Sequence, residues 1–181
     1  MSKTASALSY PIGKAEPNQH LYGLLGALAS QLGGTLSETT TDVDLSVAPD
    51  KLRALVEALL ERSTLSFDYL RNILGIDFEA DGLAVKYHFY SFRHGHALQV
   101  TVPTVYENPH LPTISDLYPA ANWHERETAE MFGVVFDGHP DPRNLLLEED
   151  LRIHPLLKAH PLQAVEIKQG IESGSPGVEL K

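Results

Sequence analysis

The sequence has no cysteine among its 181 residues. Disulfides, thiol catalysis and metal clusters held by thiolates are therefore excluded. Its apolar runs are short, far below the roughly 20 residues that a membrane-spanning helix needs. The first ten residues contain one lysine and no apolar core, so no signal peptide is expected. These absences predict a soluble, cytosolic chain that can still dock onto a membrane-bound partner.

Motifs for nucleotide binding and for acyl transfer are missing as well. The chain has no Gly-x-Gly-x-x-Gly or Gly-Lys-Ser/Thr loop and no Gly-x-Ser-x-Gly elbow. His124 and Glu125 resemble the start of a zinc-protease helix, but Thr128 stands where the second histidine is required. A distant histidine, His139, His154 or His160, would have to complete a metal site, and no spacing favours any of them.

Negative charge is in excess and is unevenly distributed. The net charge is −10, which disfavours a nucleic-acid partner. The stretch Asp116–Asp150 has nine acidic and two basic residues, a net charge of −7. This stretch is either a solvated acidic face or a docking surface for a basic partner.

Apolar periodicity predicts two amphipathic helices in the first third of the chain. Residues 1–16 show no periodicity and are expected to be a flexible N-terminus. Apolar residues three and four apart predict one helix ending at Leu32, with Asn18 as its cap and Gly33 as its stop. A second helix with the same pattern begins at Pro49.

Alternating apolar residues predict four strands, over residues 43–47, 66–78, 83–92 and 97–105. Asp81-Gly82 and His94-Gly95 are turn sequences, so consecutive strands should pair antiparallel. The predicted fold class is α+β, with two helices packed on one face of a mainly antiparallel four-stranded sheet. This domain covers residues 17–112.

Proline dominates the rest of the chain, because nine of the 12 prolines lie from Pro103 onward. One short helix near Ala121 to Phe132 and a His-Pro segment are expected to complete the domain over residues 113–150. Residues 151–181 should form an extended C-terminal tail. Such an arm must be ordered by its own domain or by a partner, and its length favours a partner.

The predicted short helix concentrates charged residues. Helical spacing places Trp123, Glu127 and Met131 on one face, so Glu127 is expected in an apolar environment. Its counter-charge would be Arg143 or an arginine of another chain, and Arg126 would pair with Glu130 at i, i+4. We favour a structural ion-pair network over general acid–base catalysis, because no nucleophile or cofactor motif accompanies the carboxylates. His139 is expected to be a hydrogen-bonded anchor.

These residues carry a specific resemblance. The runs Trp123–Glu127, Met131–Phe136 and Gly138–Pro140 closely resemble the signature of the thirty-kilodalton subunit of NADH–quinone oxidoreductase, respiratory complex I, which is also called its C subunit. The similarity extends over about residues 66–147. The resemblance implies motif residues that fix the arm and contact other subunits: Trp123, Glu125, Arg126, Glu127, Glu130, Phe132, Gly133, His139, Pro140 and Arg143.

The resemblance also implies a function. It places the chain in the peripheral arm of a proton-translocating complex, at the cytoplasmic face of the cell membrane. The chain would dock on the quinone-site subunit, denoted D, near the peripheral-arm subunits denoted B, G and I. It would hold no cofactor and no catalytic residue, since FMN, iron–sulfur clusters and quinone belong to other subunits.

Two departures from the family pattern leave alternatives open. The residues after the His-Pro pair are Asp141–Asn144, and the later segment is His154–Ala159, so both contain fewer basic residues than the family usually has. The corresponding subunit of a nickel–iron hydrogenase or of a dehydrogenase with another electron donor is therefore the first alternative. A stand-alone metal or carboxylate hydrolase using Glu127 and Glu130 is the second.

Overall fold

A computed structural model of the protein describes residues 15–39, 42–149, 151 and 153–159. The helices and strands in chain order are α1 (Ala15–Leu32), β1 (Thr35–Glu38), β2 (Val43–Ser46), α2 (Leu52–Glu61), β3 (Tyr69–Asp77), β4 (Leu83–Ser91), β5 (His96–Thr104), β6 (His110–Pro112), α3 (Ala121–Phe132) and β7 (Val135–Asp137). Residues 1–14 of the predicted flexible N-terminus lie outside the described residues. Residues 15 and 16 of that segment are the start of α1. None of the described helices is long and apolar enough to cross a bilayer.

The main sheet has five strands in the order β1-β2-β5-β4-β3. The prediction of a four-stranded sheet is wrong, because β1 adds an edge strand antiparallel to β2. The sheet is also mixed, since β2 pairs parallel with β5. Only Leu36 is apolar in β1, so this strand has no alternating signal, and the direction of β2 depends on the α2 crossover rather than on its own residues.

The core lies on one face of this sheet. Leu45, Val100, Tyr87 and Ile73 stand side by side across β2, β5, β4 and β3, and each is at most 2% exposed. Side chains of α1 and α2 join them in one apolar cluster. Two helices therefore pack on one face of the sheet, as predicted.

Glycines end α1 and form the predicted turns. Gly33, at φ +67°, terminates α1, and the Gly34 N–H donates to the Ala29 carbonyl at 2.8 Å. Helix α1 begins at Ala15, so the expected cap at Asn18 is wrong and this residue lies in the first turn. Gly82 and Gly95 adopt φ +91° and +67° in the β3–β4 and β4–β5 connections.

Helix α3 has the predicted bounds and packs against the edge strand β3. A Cβ at Gly75 would overlap the ring of Phe132, so the missing side chain lets helix and strand approach closely. Beyond β7 the described chain forms turns without further helix or strand. The described part of residues 138–159, called the arm from here on, packs back on its own domain. For residues 151 and 153–159 of the predicted tail, the domain itself therefore orders the chain, which is one of the two alternatives that the sequence left open.

Candidate functional site

The buried and exposed faces of α3 are not the ones that the sequence predicts. Glu127 is exposed and Trp123 is 61% exposed, whereas Glu125 and Glu130 are 0% and 4% exposed. The prediction that Glu127 faces an apolar interior is therefore wrong. The buried side of α3 carries small and polar residues, so apolar spacing gave no signal for it.

Glu125 binds the segment before α3 to the helix. One carboxyl oxygen accepts the Ile114 N–H at 2.8 Å, and the other accepts the Thr113 hydroxyl. Burial raises the pKa of Glu125 to about 7, although both hydrogen bonds favour the ionised form and oppose this shift. Nearby, the buried Tyr87 hydroxyl has no hydrogen-bond partner within the described residues. Burial, followed by the charge of Glu125, raises the pKa of Tyr87.

His139 is the hydrogen-bonded anchor that the sequence predicts. Its Nε2 lies 3.1 Å from the Asn122 carbonyl oxygen, and its Nδ1 accepts the Asp141 N–H at 3.1 Å. These partners assign the proton to Nε2. The same nitrogen is 3.7 Å from a Glu125 carboxyl oxygen. The imidazole thus joins the start of the arm to the first two turns of α3.

The side chain of Arg126 binds backbone carbonyl groups of the arm. It donates to the carbonyl oxygens of Arg143 and Asn144, both at 2.8 Å, and lies 3.5 Å from an Asp141 carboxylate oxygen. The predicted ion pair with Glu130 is therefore wrong. The guanidinium carbon also sits 5.8 Å from the centre of the Trp123 ring, within cation–π range.

Glu130 is a second buried anchor. Its carboxylate accepts three consecutive backbone N–H groups, from Leu145 at 2.8 Å, Leu146 at 3.0 Å and Leu147 at 3.3 Å. Its own carbonyl oxygen lies 2.8 Å from Nδ1 of His154. Glu130 therefore binds the arm at two places. The three amides at the first place form a concave set, which suits a negative charge.

Gly133 ends α3 in the left-handed conformation, at φ +76°. A Cβ here would lie 2.8 Å from Cδ2 of His154, so the glycine also makes room for the returning arm. The predicted role of Gly133 in the turn out of the helix is confirmed. Phe132 faces Gly75 of β3, and Pro140 is exposed.

Arg143 does not serve as the counter-charge of Glu127. It pairs with Asp141 at 2.8 Å and holds the pKa of that carboxyl well below its usual range. Glu127 itself has no hydrogen bond or ion pair within the part of the chain that the structure describes. No group of three potential metal ligands is assembled among the described residues, and His160 lies outside them.

The arm makes a further contact at Asp77, which the sequence does not predict. This carboxylate, at the end of β3, accepts the Lys158 N–H at 2.8 Å and the Glu79 N–H at 2.7 Å. The Tyr106 hydroxyl donates to it as well and lowers its pKa, while the pKa of Tyr106 rises to about 12. Asp77 and Lys158 are 81 positions apart, so no local pattern relates them.

Fold and site together define a small α+β domain whose third helix is bound to a folded-back arm by buried carboxylates. Residues 45–166 match the profile of the family described as respiratory-chain NADH dehydrogenase, 30 Kd subunit. The chain belongs to this family, which confirms the resemblance seen in the sequence.

Relatives and solved structures agree with this assignment. The chain is 37% identical over 146 residues to the C subunit of the NADH-quinone oxidoreductase of Roseiflexus castenholzii, covering 80% of this chain and 83% of that protein. It is similar to a trypsin-resistant fragment of Nqo5, with TM-score 0.58 and 27% identity over 67% of this chain and 98% of the fragment. A chain of an archaeal membrane-bound sulfane sulfur reductase complex shares the fold, with TM-score 0.68 and 20% identity over 86% and 94%.

Proposed function

We propose that this chain is a non-catalytic structural subunit in the peripheral arm of a proton-translocating NADH–quinone oxidoreductase. It docks on the quinone-site subunit and lies near the subunits denoted B, G and I, at the cytoplasmic face of the cell membrane. Flavin, iron–sulfur clusters and quinone are bound by the other subunits, which agrees with the absence of cysteine from this chain.

This proposal depends on the hydrogen bonds that the motif residues make. Glu125, Arg126, Glu130 and His139 are all engaged in hydrogen bonds that hold the domain and its arm together. Glu125, Arg126 and His139 line one cavity of about 160 Å³, but their polar groups are occupied by hydrogen bonds to backbone and side-chain groups of the chain itself. The family motif in this chain therefore builds a rigid shape, which is what an assembly subunit needs.

The test is purification of the tagged chain from membranes of cells that express the whole complex. We expect the quinone-site subunit and its neighbours to co-purify and NADH:quinone activity to be recovered. The isolated chain should have no visible absorbance, no stoichiometric metal and no turnover. Stoichiometric flavin or iron in the isolated chain would contradict the proposal. Co-purification with hydrogenase subunits instead would assign the chain to a related complex with another electron donor.

A further inference from the structure

A surface groove lies between α3 and the edge strand β3. Its volume is about 210 Å³, and its lining includes Gly75, Met131 and Phe132. Leu156 of the arm forms one side and is 56% exposed. Its backbone N–H donates to the Met131 carbonyl at 3.2 Å, so the leucine is fixed in position rather than loosely attached. Apolar residues make up most of the groove lining, and Asn72 and Thr128 add polar groups to it.

Glu127 stands on the rim of this groove. It is exposed and makes no hydrogen bond or ion pair with any described residue of its own chain. Trp123, one turn earlier on the same face, is 61% exposed. Trp123 and Glu127 therefore form an exposed strip on α3, and Glu127 connects this strip to the groove that it lines. Tryptophan and arginine are enriched among the residues that dominate protein–protein binding energy.

We infer that this groove receives a segment of a neighbouring subunit that presents an arginine beside an apolar side chain. The arginine would pair with Glu127, and its planar guanidinium would contact the free part of the Trp123 ring. The apolar side chain would enter the groove beside Leu156. Charge complementarity supports this occupant, because the carboxylate lacks a cation within the described chain. Arginine suits the site better than lysine, since it binds carboxylates in two places and stacks on aromatic rings.

This inference rests on the proposed function, and charge reversal tests both separately. Glu127→Arg should weaken the affinity of the tagged chain for the rest of the complex by about thirtyfold, as expected for a central contact, and so lower its recovery of the other subunits. Glu61→Arg, the same change at an exposed end of α2, is the matched control and should recover wild-type amounts. Wild-type thermal unfolding of both variants establishes that they fold. If the unmodified chain fails to recover the quinone-site subunit, the proposed function fails. If Glu127→Arg recovers as much as wild type, only the groove inference fails.

A crosslinking experiment identifies the occupant. A photoreactive phenylalanine analogue replaces Leu156 in cells that make the whole complex, with the same label at exposed Ala80 as the background. We expect a crosslinked peptide from another subunit that contains an arginine, and reversal of that arginine to glutamate should restore assembly of Glu127→Arg. Crosslinks to residues 160–181 of this chain, to a second copy of it, or no crosslink above background would each overturn the inference.

Discussion

Replacement of Glu125 by glutamine tests whether a buried carboxyl limits the stability of this subunit at neutral pH. The side chain is fully buried, and its polar partners are Ile114, Thr113 and the His139 ring. Glutamine has nearly the same shape. Its oxygen can still accept the Ile114 N–H, and its amide can donate to the Thr113 hydroxyl oxygen, so the hydrogen bonds survive while the titration is removed.

The magnitude follows from the pKa. Burial raises the pKa of Glu125 from 4.5 to about 7 in the folded protein. At about 1.4 kcal/mol per pH unit, the difference corresponds to about 3 kcal/mol. Because the folded value is the higher one, the protonated carboxyl stabilises the fold fully below pH 4.5. That stabilisation is lost as the pH rises through about 7, where the folded state must bury an ionised group.

Urea unfolding of the full chain at pH 4.5, 6 and 8 is the assay. Wild type and Glu125→Gln should be nearly equal in free energy of unfolding at the lowest pH, and the variant should gain up to about 3 kcal/mol by pH 8. Glu127→Gln removes an exposed carboxyl from the same helix and should stay within about 0.5 kcal/mol of wild type throughout. A difference between wild type and Glu125→Gln that does not change with pH would refute the reasoning.

Two further predictions concern the attachment of the arm. Glu130→Ala removes the acceptor of three backbone amides and should cost about 1–3 kcal/mol of unfolding free energy. Hydrogen exchange of the amides of residues 145–147 should accelerate in this variant. Unchanged exchange would contradict the role assigned to Glu130. Gly133→Ala forces alanine into a left-handed conformation against the His154 ring and should cost at least about 1–2 kcal/mol in urea unfolding. Gly23→Ala, in open space on α1, should instead be neutral or stabilising, and equal effects of the two glycine changes would refute the argument.

Much of the fold was predictable because apolar periodicity reports burial directly. The two core helices and the alternation in β4 and β5 follow from side chains that must leave water. The strand β1 was missed, since its residues are mostly exposed and polar. The parallel pairing of β2 was missed too, because strand direction is set by the connection through α2 and not by the alternation within the strand.

The site was predicted as a cluster but not in its geometry. Periodicity on α3 placed Glu127 inside because Trp123 and Met131 share its face. Burial of Glu125 and Glu130 is decided instead by backbone N–H groups that the folded chain brings to them, 11 to 17 positions away. Peptide groups occur at every residue and leave no mark in the sequence, so no spacing rule could have found these partners.

The contrast among the three carboxylates of α3 explains how this helix can serve as a contact surface. Glu125 fixes α3 to the segment before it, and Glu130 fixes it to the arm that follows. The exposed strip that contains Trp123 and Glu127 is therefore supported from both sides by buried hydrogen bonds. A partner that binds a surface already ordered loses less conformational entropy than one that must order a loop. Removing either buried anchor should therefore weaken assembly even though neither carboxylate can touch the partner.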